Sequence, residues 1–255
     1  MAPIDGNFYL YPLDKSFDAD GKDLNATPNG SFYTFTSRLG LDVTGPDIGK
    51  ARSSAKIETD FGGFSGSNTM LRIRQAYVNL DWGKSAVLVG ITWHPLFGAV
   101  MPDVLNLSTG APFQPFNRSP QIRYQYKANS RVQLTASVLW QLQYLSSGPK
   151  GMSEDYIKNS CIPEMFVGAD FTPADGWLMG LGAHMISLKP RTSTEWKEQT
   201  FKVNERMTAF SYEAHLKYSG RNYPFAAKTL MASALDHTAL LGGYGVSSVD
   251  SRTGE

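Results

Sequence analysis

Apolar and polar residues alternate along two adjacent segments near the start of the chain, residues 31–44 and 51–61. In the first segment, for example, Leu39 and Leu41 have one parity and Arg38 has the other. A period of two residues indicates a β-strand whose two faces meet different surroundings. The pattern therefore predicts two neighbouring strands, each about 12 residues long.

The same alternation continues along most of the chain. Eight further strands are predicted, the last of them weaker than the others, over residues 70–83, 86–94, 121–128, 131–145, 164–171, 177–188, 204–218 and 225–235. Within residues 70–83 the parity of the apolar positions slips near Arg74 and Gln75. Either a β-bulge or the end of a membrane-spanning strand would explain this slip.

The connections between the predicted strands alternate in length. Short connections fall at residues 45–50, 83–85, 129–130, 172–176 and 219–224, and long ones at residues 62–69, 95–120, 146–163 and 189–203. An up-and-down antiparallel β-barrel of an outer membrane has short periplasmic turns and long outer loops. The sequence therefore predicts an all-β fold: one partial transmembrane barrel domain over residues 1–255, with about ten strands and with the long connections facing outward.

Alternation alone does not decide which face of the strands meets water. In a soluble β fold the apolar face is the core, whereas in a porin it faces lipid and the polar face lines a wet lumen. The predicted strands reach about 10–15 residues, which suits a tilted membrane strand better than a soluble one. Aromatic residues near the strand ends fit a girdle at the lipid interface. They are Trp82, Trp93, Trp140, Tyr144, Trp177 and Tyr218.

Composition narrows the classes of function. The 255 residues carry a formal net charge of +1, so no strong positive field points to nucleic acid. No run of 18 apolar residues is present, which argues against a transmembrane helix but not against a barrel. Cys161 is the only cysteine, so an internal disulfide is excluded.

Several segments resemble the porins of Bacteroidetes outer membranes. The similarity covers nearly the whole chain. The segments that carry it are residues 37–63, 71–82, 90–126 and 240–255, and its most specific part is GAPFQPFNRSPQIR, residues 110–123. This resemblance implies a β-barrel channel in the outer membrane of a Gram-negative bacterium. It also implies that the family's barrel has further strands beyond both ends of this sequence.

The charged residues of the polar parity are the candidate pore-lining residues. The main set is Arg38, Asp42, Arg52, Lys56, Glu58, Asp60, Arg123, Lys127, Arg131, Glu213 and Lys217, and Glu164, Asp170 and Lys228 share their parity. Charged rings set ion selectivity in pores. Because eight of these fourteen residues are basic and six are acidic, only slight selectivity is expected. The proline-rich loop 95–120 has two readings, a constriction inside the lumen or an outer vestibule.

The sequence offers little sign of catalysis. There is no G-x-S-x-G turn, and the spacing of His94, His184, His215 and His237 fits no metal site on a single helix or hairpin. No enzyme activity, cofactor or metal is therefore expected. The expected partners are outer-membrane lipid and small solutes or ions, without nucleic acid, and a homo-oligomer is left open. The alternative function is a plugged receptor or adhesin barrel that conducts nothing.

Overall fold

A computed structural model describes residues 14–26, 37–61, 70–101, 113–220 and 223–250 of the chain. Ten strands form one antiparallel sheet in which each strand pairs with the next long strand along the chain. With strands numbered in chain order, the sheet contains β1 Arg38–Thr44, β2 Arg52–Asp60, β3 Arg72–Asp81, β4 Ser85–Trp93, β5 Arg118–Lys127, β6 Val132–Leu139, β9 Glu164–Phe171, β10 Trp177–Leu188, β13 Met207–Tyr218 and β14 Phe225–Met231. The sheet is open, with β1 and β14 at its edges.

The connections hold the remaining secondary structure. Two small hairpins lie in predicted long loops and are formed by β7 Ser147–Gly148 with β8 Gly151–Met152 and by β11 Ser193–Trp196 with β12 Gln199–Lys202. Three short helices complete the described elements: α1 Asp155–Ser160 and the 3-10 helices Pro95–Phe97 and Asp236–Thr238. None of the described helices is long and apolar enough to cross a membrane.

The antiparallel up-and-down order confirms the predicted fold class. Strands β9 and β10 have the predicted bounds, whereas the prediction of a strand over residues 131–145 is wrong at its end. Beyond Leu139 the side chain of Gln141 bonds both the backbone N–H and the hydroxyl of Ser146, so the chain closes a turn instead of continuing the ladder. The predicted strand 31–44 is described only from residue 37 onward, and residues 27–36 lie outside the described part.

A β-bulge explains the parity slip in β3. Glu58 pairs with Gln75 and the next residue, Thr59, pairs with Ile73, so Arg74 is the extra residue. The pairing continues to Arg72, which excludes a strand end at this point. The bulge therefore restores the alternation on both of its sides.

The apolar face of the sheet is exposed and the polar face is buried, which is the opposite of the arrangement in water-soluble proteins. Apolar side chains project from one face and are widely exposed, with Leu181 67%, Leu39 63% and Val167 58% accessible. The opposite face, called the polar face below, buries charged and polar residues such as Glu213 and His184. Burying charge while exposing aliphatic side chains stabilises a protein only where lipid covers the apolar surface.

The polar face is not polar along its whole length. Near the long connections, two apolar clusters lie on it: Tyr156, Ile157, Ile186, Leu188 and Ala209 in the first, and Leu96, Leu139, Phe166 and Leu235 in the second. In each cluster, side chains of the connections pack against side chains of the strands. Phe166 lies over the paired Gly168 and Gly182, where an added Cβ would come within 2.8 Å of its ring. This end of the polar face is therefore packed with protein side chains.

The outward orientation of the long connections stays a prediction, and the structure supplies two accessible sites that test it. Lys150 lies in the turn of a long connection and Asp175 in a short one, and both are exposed. In a background where the exposed Cys161 is replaced by serine, we expect a membrane-impermeant thiol reagent to label Lys150→Cys in intact cells and to spare Asp175→Cys. Labelling of Asp175→Cys but not of Lys150→Cys would show that the long connections face the periplasm.

Candidate functional site

The charged residues of β1, β2 and β3 form a ladder of ion pairs on the polar face. Lys56 Nζ lies 3.0 Å from Asp42 Oδ1, in directly paired positions of β1 and β2. Beside it, Arg74 contacts Glu58 at 2.6 Å and Asp60 at 2.8 Å. Because Arg74 is the bulged residue, it reaches two carboxylates that lie two positions apart on the neighbouring strand.

The ladder also contains arginines that the sequence analysis did not select. Arg72 Nε lies 2.6 Å from Asp60 Oδ1, so that carboxylate has two guanidinium partners. Arg72 and Arg74 were missed because the parity slip made their face ambiguous. Of the predicted pore residues in these strands, Arg38 pairs in register with Asp60, and Arg52 pairs with Asp81.

The other predicted pore residues lie farther along the polar face and make separate contacts. Arg123 donates to the carbonyl oxygen of Trp93 at 2.5 Å, and Lys127 donates to that of Gly83 at 3.1 Å. Arg131 and Lys217 line one depression at the end of the sheet that carries the short connections. The structure thus places the predicted residues on one face but does not gather them into one ring.

A second group of charges crosses β9, β10, β13 and β14. Glu213 Oε2 lies 3.2 Å from Lys228 Nζ, and His215 Nε2 lies 3.1 Å from Asp170 Oδ1. Lys228 also donates to the backbone carbonyl of Phe97 at 3.2 Å. Because Lys228 belongs to the polar face, this bond holds the first part of loop 95–120 against that face.

A deeply buried polar group of the described chain is a cluster of three histidines around one glutamate, called the histidine cluster below. The Nε2 atoms of His94, His184 and His237 lie 3.3, 3.3 and 3.1 Å from Glu164 Oε2. The other carboxylate oxygen accepts a hydrogen bond from Gln141 Nε2 at 2.9 Å. All four cluster side chains are almost completely inaccessible to solvent.

Different elements position the members of the histidine cluster. Glu164 begins β9 and His184 lies in the neighbouring β10, both with the polar parity. His94 follows β4 and caps the 3-10 helix Pro95–Phe97, where its Nδ1 accepts the N–H of Leu96 at 3.2 Å. His237 lies in the 3-10 helix that follows β14. The cluster therefore joins two wall strands to two connections.

The two histidines outside the strands have shifted pKa values of opposite direction. Burial lowers the pKa of His94 to about 4, although the hydrogen bond with Glu164 opposes this shift. Burial alone would also lower the pKa of His237, but the charge of Glu164 and its hydrogen bond outweigh that effect and raise it. At neutral pH His94 is therefore a neutral imidazole, whose Nδ1 acts as an acceptor.

The expectation that the chain is no enzyme is corrected, because its premise about the histidines is wrong. That expectation took the histidines as isolated residues without partners, whereas three of them share one buried carboxylate, and the fourth contacts Asp170. Closely spaced buried titratable groups are typical of functional sites. The parity of Glu164 and His184 was a usable signal, but the approach of His94 and His237 was not visible along the chain.

A further buried charge lies at the rim of the sheet. The guanidinium carbon of Arg118 lies 4.8 Å from the ring centre of Trp93, 5.4 Å from that of Phe116 and 5.8 Å from that of Tyr144. Tyr144 also accepts a hydrogen bond from Arg118 Nη2 at 2.7 Å. Trp93 and Tyr144, which were expected in an aromatic girdle, therefore also surround a cation.

Comparisons with known proteins include a match to a solved structure. No family model matches the chain, and no curated protein matches it. Among solved structures, it is similar to a loop L8 deletion mutant of OmpT, an outer membrane protein of Vibrio cholerae, at 13% identity and a TM-score of 0.51. The match covers 77% of this chain and 61% of that one, so the chain spans about three-fifths of its neighbour's length.

This likeness bears on the fold alone, because the two sequences are distant. The similarity to Bacteroidetes porins stays a prediction. The reversed burial of the two faces, the antiparallel order of the strands and the similar solved structure agree with one another. This chain has the fold of an outer-membrane β-barrel.

Proposed function

We propose that this chain forms the wall of a porin, a water-filled channel in a bacterial outer membrane through which small solutes and ions diffuse passively. The observation that carries the proposal is the reversed burial of the sheet, with aliphatic side chains exposed on one face and paired charges on the other. A charged wall needs water beside it, whereas an exposed aliphatic wall needs lipid.

The charges of the wall indicate weak ion selectivity. In the ladder, Lys56 pairs with Asp42 and Arg74 pairs with Glu58, so neither sign dominates the field along β1–β3. A pore lined by paired charges passes both cations and anions, since selectivity requires an excess of one sign at the narrowest point.

A charge reversal in the ladder tests the channel directly. In planar lipid bilayers we expect the intact protein to conduct, and Lys56→Glu to shift the reversal potential in a salt gradient towards cation preference, because the substitution places two carboxyl groups opposite each other. Lys50→Glu is the matched control, since Lys50 is exposed in the turn between β1 and β2 and lies outside the wall. Equal shifts of the reversal potential in the two variants would show that Lys56 does not line the conducting path.

One observation favours a second candidate, a plugged receptor or adhesin barrel. The two apolar clusters fill part of the polar face beneath the long connections, so this end of the wall is covered by protein. The single-channel current separates the candidates. A folded, membrane-inserted protein that carries no current contradicts the porin proposal and supports the plugged barrel.

A further inference from the structure

We propose that Glu164, His184 and His94 form a binding site for a divalent transition-metal ion of the zinc class, with His237 beside them as a further nitrogen donor. Imidazole nitrogens with one carboxylate are a ligand set that Zn²⁺ accepts readily. The site does not depend on whether the barrel conducts, because it ties connections to the wall.

The distances in the histidine cluster suit such an ion. A tetrahedral zinc site with bonds of about 2.0–2.1 Å places neighbouring ligand atoms about 3.3 Å apart. The separations from Glu164 Oε2 to the three histidine nitrogens are 3.3, 3.3 and 3.1 Å. The ligand atoms of His94, Glu164 and His184 all lie within 4.8 Å of one another, so small side-chain shifts bring them around one ion.

One carboxylate oxygen of the cluster has more hydrogen-bonding neighbours than it can accept bonds from. A carboxylate oxygen has about two lone-pair sites, yet three imidazole nitrogens surround Glu164 Oε2. The buried Nδ1 of His184 has no hydrogen-bond partner. A metal ion bound by the Nε2 atoms would replace the competing bonds around Oε2 with three or four coordinate bonds.

His94 is the ligand whose hydrogen bonding must change when metal binds. Its Nδ1 accepts the N–H of Leu96, which leaves its proton on Nε2, the atom that would bind the metal. Coordination through Nε2 therefore requires that this proton leave Nε2. If the proton moves to Nδ1, that atom can no longer accept the N–H of Leu96. Metal binding should therefore change the hydrogen bonding at the start of the 3-10 helix Pro95–Phe97 and the position of the loop that follows it.

The closed surroundings indicate what the ion would do. The four side chains are almost fully buried, and they come from β9, from β10 and from the connections after β4 and β14. A fully enclosed set of protein ligands is typical of ions that hold elements together. Here the ion would fix loop 95–120 and the segment after β14 to the polar face.

Metal analysis of the intact protein tests the site. After removal of metal with EDTA and dialysis against Zn²⁺ in detergent, we expect about one tightly held zinc per chain by elemental analysis. His184→Gln should weaken binding by more than about 100-fold, since even outer-shell partners contribute about 10–100-fold. His215→Gln is the matched control, because His215 lies on the polar face and contacts Asp170 outside the cluster, and this variant should retain zinc.

A spectroscopic measurement on the unmodified protein keeps the test decisive if His184→Gln does not fold. Co²⁺ loaded in place of zinc should give the strong visible absorption of a four-coordinate ion. Absence of that absorption, or wild-type zinc content no higher than that of folded His184→Gln, would overturn the proposal and leave a purely hydrogen-bonded cluster.

Discussion

Replacing Leu134 with arginine is expected to remove most of the folded protein from the membrane, whereas arginine at the adjacent Thr135 is expected to be tolerated. Leu134 lies on the exposed apolar face in the middle strands of the sheet, paired with Tyr126 and Ala169. Arginine on a lipid-facing wall costs about 2–4 kcal/mol at the bilayer midplane and less near the interfaces. Thr135 lies on the polar face, where it pairs with Gln125 of β5 and a cation has polar neighbours.

The two variants form a matched pair, since the same side chain is introduced at successive positions of β6. Unfolding in urea after reconstitution into liposomes measures the free-energy difference, and heat-modifiable migration in gels reports the folded fraction. Thr135→Arg should lose less than about 1 kcal/mol. If Leu134→Arg is silent and Thr135→Arg unfolds the protein, then the lipid and water faces are reversed.

Removal of the Glu164 carboxylate should have the second large effect. Glu164→Ala leaves three buried imidazoles and the Gln141 amide without their shared acceptor. Breaking a buried charged pair by removing one partner costs about 3–5 kcal/mol. Thermal unfolding in EDTA should show a loss of this size, so that the measured change comes from hydrogen bonds and charge alone.

Glu154→Ala is the matched control for this prediction. Glu154 forms an ion pair with Lys158 on the exposed side of α1, and such pairs contribute about 0.3–0.5 kcal/mol. The two losses of stability should be compared as a ratio, because Glu164→Ala and Glu154→Ala remove the same side chain. Equal losses would mean that water reaches Glu164 and that the histidine cluster is open.

Much of the sheet could be predicted because strand alternation is a local property. The bounds of β9 and β10 follow from parity alone, and the slip near Arg74 marks the bulge. The end of β6 could not be predicted in this way, because apolar parity continues through Trp140 and Leu142 after the ladder has stopped. There the side chain of Gln141 decides the turn by bonding Ser146.

The candidate site was harder to predict than the fold. Parity placed Lys56 and Glu58 on one face of the sheet, which the structure also shows, but it did not show which charges pair across strands. The histidine cluster depends on connections that fold back over the sheet, and no periodic pattern specifies where such a connection lands. The apolar residues Ile186 and Leu188, which follow the polar stretch of β10, mark the place where the connections pack.

The spacing of the histidine cluster along the chain sets the order in which the molecule can assemble. Glu164 is 70 residues from His94, 20 from His184 and 73 from His237. Contacts between distant residues form slowly, because loop closure must precede their stabilising effect. Strands β9 and β10 can pair early, whereas the connection that carries His237 follows β14 along the chain and docks after that strand. The histidine cluster is therefore complete only after the last described strand has joined the sheet.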